Sequence, residues 1–256
     1  MKVNYHTHTA RCRHASGTER EYIETAIARG LDTLGFSDHT PYIFPDGYYS
    51  GFRMFPEQAA EYFETLEKLK KEYSGKIRIF SGLEAEYYPK HFPALLDFLK
   101  DFRPDYLILG QHFTKNEYDG DYSGKPTDNE SVIDRYVKQV IEGLETGCFT
   151  YLAHPDLIRF TGRDSVYEKH MSRLCESCRE LSIPIEINML GLMDNRHYPS
   201  ERFWKIAAGC GCDIVIGCDA HKPDAVAEPA TLKKAHDIAE RVGVSPTENI
   251  ILRRPC

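Results

Sequence analysis

The chain reads as an α/β protein of seven β/α units, closed or nearly closed into a barrel. Three observations predict this. Short apolar runs alternate with longer amphipathic stretches, seven times over, the pattern of parallel strands joined by right-handed helical crossovers. The 256 residues show no composition break or linker, so a single domain over 1–256 is expected, a length ordinary for an α/β barrel. No Gly-x-Gly-x-x-Gly follows a strand, so nothing supports an open dinucleotide-binding sheet.

Strand one is residues 2–5. The first helix starts at Thr18, marked as an N-cap by Glu21 three residues on, and stops at Gly30. Strand two is 31–36 and leads into Ser37-Asp38-His39-Thr40-Pro41. Residues 41–55 carry Tyr42, Phe44, Tyr48, Tyr49, Phe52 and Phe55 among Pro45, Gly47 and Gly51. That density of turn residues excludes a helix, and so long a loop either lids a pocket or packs its aromatics on the barrel. A helix over 56–73 has Pro56 in its first turn. Strand three (76–80), a short helix (92–101) and strand four (106–109) follow. A polar loop over 114–127 holds Gly120, Gly124 and Pro126. A helix over 129–146, closed by Gly147, precedes strand five, 149–153. Then come a helix (165–181), strand six (184–187), a loop to Pro199, a helix (200–208) and strand seven (213–217). A last helix over 226–242 precedes a short segment, 249–252.

Hydrophobic residues at 41% and charged residues at 28% describe a soluble globular protein. Such a chain buries roughly three quarters of its unfolded surface, enough for a full core. A net charge of −7 counts against nonspecific nucleic-acid binding. No apolar run is long enough for a membrane span. The N-terminus lacks an apolar secretory core, so a cytoplasmic location is expected. Eight cysteines include Cys175-x-x-Cys178 and Cys210-x-Cys212; reduced, partly buried thiols are expected there rather than a zinc knot. No feature advertises an oligomer interface.

The chemistry sits after the strands. His6 and His8 are two apart, so on a strand both rings share a side. His14, His39, Glu84, His112, His154, Asp219 and His221 follow the ends of the first, second, third, fourth, fifth and seventh strands, and strand six offers Asn188. In a barrel these ends meet at the face that carries active sites. His91, His170, His197 and His236 fall elsewhere. Nine donors exceed one tetrahedral zinc and suit two or three divalent ions, with carboxylates bridging. Imidazole with carboxylate fits zinc, manganese or iron alike. Clustered divalent ions activate water and stabilise charge developing on a phosphoryl or carbonyl oxygen, so metal-assisted hydrolysis of a phosphate ester or an amide is expected.

His6-x-His8 with His14, Asp38-His39, Gly82-Leu83-Glu84, Gly110-x-His112, Ala153-His154-Pro155 and Asp219-x-His221 together resemble the polymerase-and-histidinol-phosphatase (PHP) family, in its order and over nearly the whole chain. Glu84-Ala85-Glu86-Tyr87-Tyr88-Pro89, His154-Pro155-Asp156-Leu157-Ile158-Arg159 and Glu186-Ile187-Asn188 leading to Tyr198-Pro199-Ser200 are most similar to its histidinol-phosphate phosphatases. The resemblance implies a distorted (β/α)7 barrel with a trinuclear metal centre. It implies a first metal on His6, His8, Glu84 and Asp219, a second on Glu84, His112 and His154, and a third on His14, His39 and His221 near Asp219. Glu84 and Asp219 would be the bridging, catalytic carboxylates. The implied reaction is hydrolysis of L-histidinol phosphate, with hydroxide attacking phosphorus directly and no phosphoenzyme. Arg159 and Arg196 are the candidates to grip phosphate through forked hydrogen bonds. Glu86, Asp156 and Asp194 are the candidates for the substrate ammonium. The expected partner is a small phosphate ester rather than nucleic acid or membrane. The alternatives are a PHP phosphoesterase acting on nucleotides or other esters, and a non-catalytic PHP module, which would have lost ligands that all stand here.

Overall fold

In the computed structural model, which describes residues 1–255, the sheet is laid down in chain order. β1 (Val3–Asn4) pairs with β2 (Thr33–His39), β2 with β3 (Arg78–Ala85) and β3 with β4 (Tyr106–Leu109), all parallel. A small antiparallel hairpin follows, β5 (Phe113–Thr114) with β6 (Asp121–Tyr122). β7 (Ile185–Asn188) and β8 (Ile214–Gly217) form a second parallel pair. Single parallel bridges join Leu109 to Leu152, Leu152 to Ile185 and Thr7 to Ala220. The result is a mixed α/β fold around a curled parallel sheet.

Helices α1 (Glu19–Ala28), α2 (Ala59–Glu72), α3 (Phe92–Leu99), α4 (Glu130–Glu145), α5 (Asp164–Glu180), α6 (Met189–Met193), α7 (Glu201–Cys210) and α8 (Pro229–Arg241) complete the order. α1 starts as its sequence requires: Thr18 and Glu21 form the reciprocal capping box. Along β4 the side chains alternate between two cores. Leu107 and Leu109 join the large core between sheet and helices. Tyr106 and Ile108 join Tyr5, Tyr151, Ala153 and Val215 in a smaller one, against which Ile250 and Leu252 also pack. The Tyr106 hydroxyl donates to the Tyr5 carbonyl at 2.7 Å, so even this interior phenol is paired.

Several sequence expectations are corrected here. β2 and β3 run past the apolar stretches to His39 and Ala85, because Ser37, Asp38 and His39 pair with Gly82, Leu83 and Glu84. Strand five shrinks to bridges at Leu152, although Thr150, Leu152 and Ala153 donate to the Leu107, Pro184 and Leu109 carbonyls at 2.7, 3.0 and 2.8 Å. The polar loop contains β5 and β6, and the run after β7 opens with α6, capped by Asn188 on the Gly191 N–H. α8 begins at Pro229, where Glu228 caps the N–H groups of Ala230 and Thr231. Residues 249–252 form no regular element. No helix among the described residues is long and apolar enough to cross a membrane. The seven cysteines from Cys12 to Cys218 are free thiols; Cys256 lies outside the described residues.

The loop over 41–55 is pinned rather than loose. Arg53, 1% exposed, pairs with Glu86 at 2.6 Å and Glu117 at 2.7 Å. Tyr42 and Phe44 pack on Tyr88, and Phe52 lies edge-on to His39 with ring centroids 5.1 Å apart.

Candidate metal centre

Sheet register brings distant residues together. In the β2–β3 ladder His39 stands level with Glu84. His112 follows the end of β4, and His154 lies just beyond the Leu152 bridge. The Thr7–Ala220 bridge sets His6 and His8 beside Asp219 and His221. His6, His8, Glu84 and His154 are at most 1% exposed, and His39 and Asp219 are 4% exposed. His112 and His221 are half-buried, and His14 is exposed. Asp219 and His154 adopt left-handed backbone, φ 48° and 31°, a conformation that costs about 1–3 kcal/mol and gathers at functional sites.

Glu84 is the hub. Its carboxylate lies 2.8 Å from His154 Nε2, 2.9 Å from His39 Nδ1, 3.6 Å from His8 Nε2 and 3.7 Å from both His6 Nε2 and His112 Nε2. Asp219 Oδ1 lies 3.0 Å from His8 Nε2 and 3.4 Å from His6 Nε2. His221 Nε2 and His14 Nε2 face each other at 2.9 Å. Room for the hub comes from Gly110: a Cβ there would fall 1.8 Å from Glu84 Oε1.

These contacts are not a satisfied hydrogen-bond network. His6 Nε2, both ring nitrogens of His8, His39 Nδ1, His154 Nδ1 and Glu84 Oε2 are buried without a hydrogen-bond partner. The His39–Glu84 approach is close but misaligned for a hydrogen bond. Each such orphan costs about 1–3 kcal/mol. Donors of this kind, converging without partners, fit divalent cations. Three groups bring their donor atoms within 4.8 Å of one another, His6–His8–Asp219, His6–Glu84–His154 and His14–His39–His221, with His6 shared by the first two. His8–His39–Glu84 and His8–Cys12–His221 are further groups. His112 belongs to none of them but reaches Glu84.

Charge is unevenly shared. Burial pulls His6 down, but Glu186, Asp219 and Glu84 outweigh it and hold the imidazole well above its ordinary value. Burial is likewise outweighed at His8, which Asp219 and Asp38 bring up to about 9. Burial and the charge on His8 push His221 down to about 3. Glu84 and Asp219 are held well below the carboxylate range, because neighbouring histidines overcome the effect of burial. Both are therefore anionic donors.

The cluster floors a cleft of about 710 Å³. His14, His39, His112, Asp219 and His221 line it, with the aromatics Phe52, Phe113 and Tyr122 and with Asp194, Arg196 and Tyr198. Arg196 is held by Asp194 at 2.8 Å and by the Tyr198 hydroxyl at 2.9 Å. Arg159 does not border this cleft. Its backbone pairs with Ser123 and Thr127 at 3.0 Å each, and its side chain is exposed. Asp156 is also elsewhere, buried and accepting from the Ser200 N–H at 2.6 Å. Glu86 lies behind the floor, between His112 and Arg53. Of the three acidic candidates only Asp194 borders the cleft.

A PHP domain is matched over residues 4–190. The chain belongs to the PHP domain family. A probable histidinol-phosphatase of Deinococcus radiodurans is 30% identical over 232 residues, 86% of each protein. The histidinol-phosphatase of Bacillus subtilis is 31% identical over 125 residues, 46% of each protein. The fold is that of the histidinol phosphate phosphatase of Lactococcus lactis, solved with zinc, L-histidinol and phosphate. The TM-score is 0.76 at 19% identity, over 100% of this chain and 99% of that one.

Behind the histidines stand further carboxylates, which lie within the stretches of the resemblance but are not assigned this place by it. Glu186 Oε1 accepts from His6 Nδ1 at 2.8 Å, and its other oxygen accepts from the His154 N–H at 3.1 Å. Glu86 accepts from His112 Nδ1 at 2.8 Å. Asp38, beside the Thr9 hydroxyl, stands 3.5 Å from His8 Nδ1. The sequence signals for Glu186 are a carboxylate inside the apolar run Ile185-Glu186-Ile187 and its place in the stretch Glu186-Ile187-Asn188 of the resemblance.

Proposed function

We propose that this chain is a metal-dependent phosphatase that hydrolyses L-histidinol phosphate to L-histidinol and phosphate. The observation that carries the reading is the convergence of nine donors, several with orphaned atoms, five of them lining a cleft bordered by Arg196 and four buried beside these. The kinship with the Deinococcus histidinol-phosphatase supports the substrate. On this reading His6, His8, Glu84 and Asp219 hold one ion, Glu84, His112 and His154 a second, and His14, His39 and His221 a third. Zinc, manganese and iron suit that donor set. Bound there, the ions supply an acidified water and positive charge for phosphoryl oxygens. The bridges at Leu152 and Thr7–Ala220 support reading the sheet as a distorted (β/α)7 barrel, one domain over 1–256.

The chain's own groups supply the rest. Glu84 and Asp219 are the anionic donors and would offset the charge of the ions held there. Arg196, pre-set by Asp194 and Tyr198, forks onto the phosphoryl oxygens. Asp194 receives the substrate ammonium. Phe52 and Phe113 shield one side of the cleft from water, which strengthens every charge interaction within it.

The test is phosphate release from L-histidinol phosphate, beside a nucleoside monophosphate and a phosphodiester, with and without chelator. A kcat/KM for histidinol phosphate orders of magnitude above the others, lost on chelation, is expected. Chelator-sensitive activity confined to the other esters would remove the substrate assignment and keep the metal centre.

A further inference from the structure

The histidines of the centre differ in what stands behind them. His6 is backed by the carboxylate of Glu186 and His112 by that of Glu86, each at 2.8 Å. His14 and His221 are backed by backbone carbonyls, of Cys12 at 2.9 Å and of Asp219 at 3.0 Å. A carboxylate behind an imidazole fixes the ring and raises its basicity; a carbonyl fixes it with less charge.

Glu186 does more than orient one ring. Besides the His6 ring and the His154 N–H, its carboxylate accepts from Asn188 Nδ2 at 3.0 Å, and the same amide reaches Asp219 Oδ2 at 3.1 Å. Three candidate ligands from three parts of the chain thus meet through one buried side chain. Gly217 makes its seat: a Cβ there would fall 1.7 Å from Glu186 Oε1. This also accounts for Asn188, the strand end that carries no charged donor.

The two halves of the centre also differ in charge and access. His6–His8–Asp219 and His6–Glu84–His154 are fully buried, and each contains a carboxylate. His14–His39–His221 has no carboxylate as a member, although Glu84 stands 2.9 Å from His39 Nδ1 and Asp219 3.4 Å from His221 Nδ1; it borders the cleft with all three rings and includes the exposed His14.

We infer that Glu186 is a positioning residue that makes the inner ion positions tight, and that the outer His14–His39–His221 position is weaker and exchangeable. Loading is then ordered: the buried, carboxylate-bearing positions fill first, and the outer one fills last, on the side from which substrate enters. This rests on the metal centre proposed above.

The experiment counts bound zinc by mass spectrometry of elements after equilibration in buffers of graded free zinc. The expected result is a tight step followed by a weaker one, separated by more than the roughly 10–100-fold that loss of a carboxylate behind a ligand costs. Glu186→Gln should weaken the tight step about 10–100-fold and leave the weak step in place. His14→Ala, at an exposed position, should abolish the weak step alone. Circular dichroism checks that Glu186→Gln folds; if it does not, the wild-type steps and His14→Ala still decide. A single step for all ions, or loss of the tight step in His14→Ala, would overturn the grading and leave the metal centre standing. No bound zinc at any concentration would overturn both.

Discussion

Arg53→Met tests whether the loop over 41–55 is held by buried charge. Arg53 is 1% exposed and pairs with Glu86 and Glu117 at 2.6 and 2.7 Å. It also donates to the Thr40 carbonyl at 3.3 Å and lies over the Phe52 ring, 4.4 Å from its centroid. Methionine keeps much of the length and removes the charge. Two buried carboxylates are then left without their cation, and breaking such a pair costs about 3–5 kcal/mol. For a chain of this size 1 kcal/mol moves the Tm by roughly 2–4 °C, so a fall of about 6–20 °C is expected. The pH dependence has a definite sign. Burial raises Glu86, but Arg53 and His112 together outweigh it and hold the carboxyl below its usual range. In the native protein that stability is present above the ordinary glutamate value and is lost as pH falls through the lower folded value. Without Arg53 the carboxyl moves up, and its penalty is relieved when acid protonates it. The deficit should therefore be largest at pH 8 and shrink toward pH 5. Thermal unfolding followed by circular dichroism, at both pH values, measures it. Adding Glu86→Gln and Glu117→Gln should recover most of the loss. A fall under about 2 °C, or a deficit that does not change with pH, would refute the reasoning.

Three further outcomes are expected. Arg196→Ala should lower kcat/KM for histidinol phosphate by roughly 10²–10³, the scale of a lost donor at developing charge; near-normal steady-state kinetics would remove Arg196 from the site. Gly217→Ala should weaken inner zinc binding as Glu186→Gln does, because the methyl displaces the Glu186 carboxylate; unchanged zinc affinity would show that Glu186 can move without consequence. Metal uptake should release protons at pH 8, because His8 in the metal-free protein is raised to about 9 and His6 is also raised. Affinity should rise by about tenfold per pH unit for each proton displaced, up to that value. Calorimetry in buffers of different ionisation heat checks this, and uptake without proton release would contradict it.

The residues by themselves determined the α/β alternation and most helix limits, because helical period, caps and stops are local properties. Thr18 with Glu21 and Asn129 before α4 are legible from a few neighbours. The nine candidate donors were legible too, since a histidine or acid after an apolar strand stands out against its surroundings. Strand length was not. Ser37, Asp38 and His39 carry no apolar signal and are strand only because Gly82, Leu83 and Glu84 lie alongside. The grouping of donors was likewise undecided by spacing, for His112 and His154 both follow strands, yet His154 is within 2.8 Å of Glu84 and His112 stands at 3.7 Å. Arg159 and Arg196 look alike as isolated arginines; in the fold the Arg159 side chain is exposed, with its backbone paired to Ser123 and Thr127, while Asp194 and Tyr198 hold Arg196 at the cleft. Glu186 is the clearest case. Its partner His6 is 180 residues away, and a buried carboxylate takes its role from whichever imidazole the folded sheet sets against it.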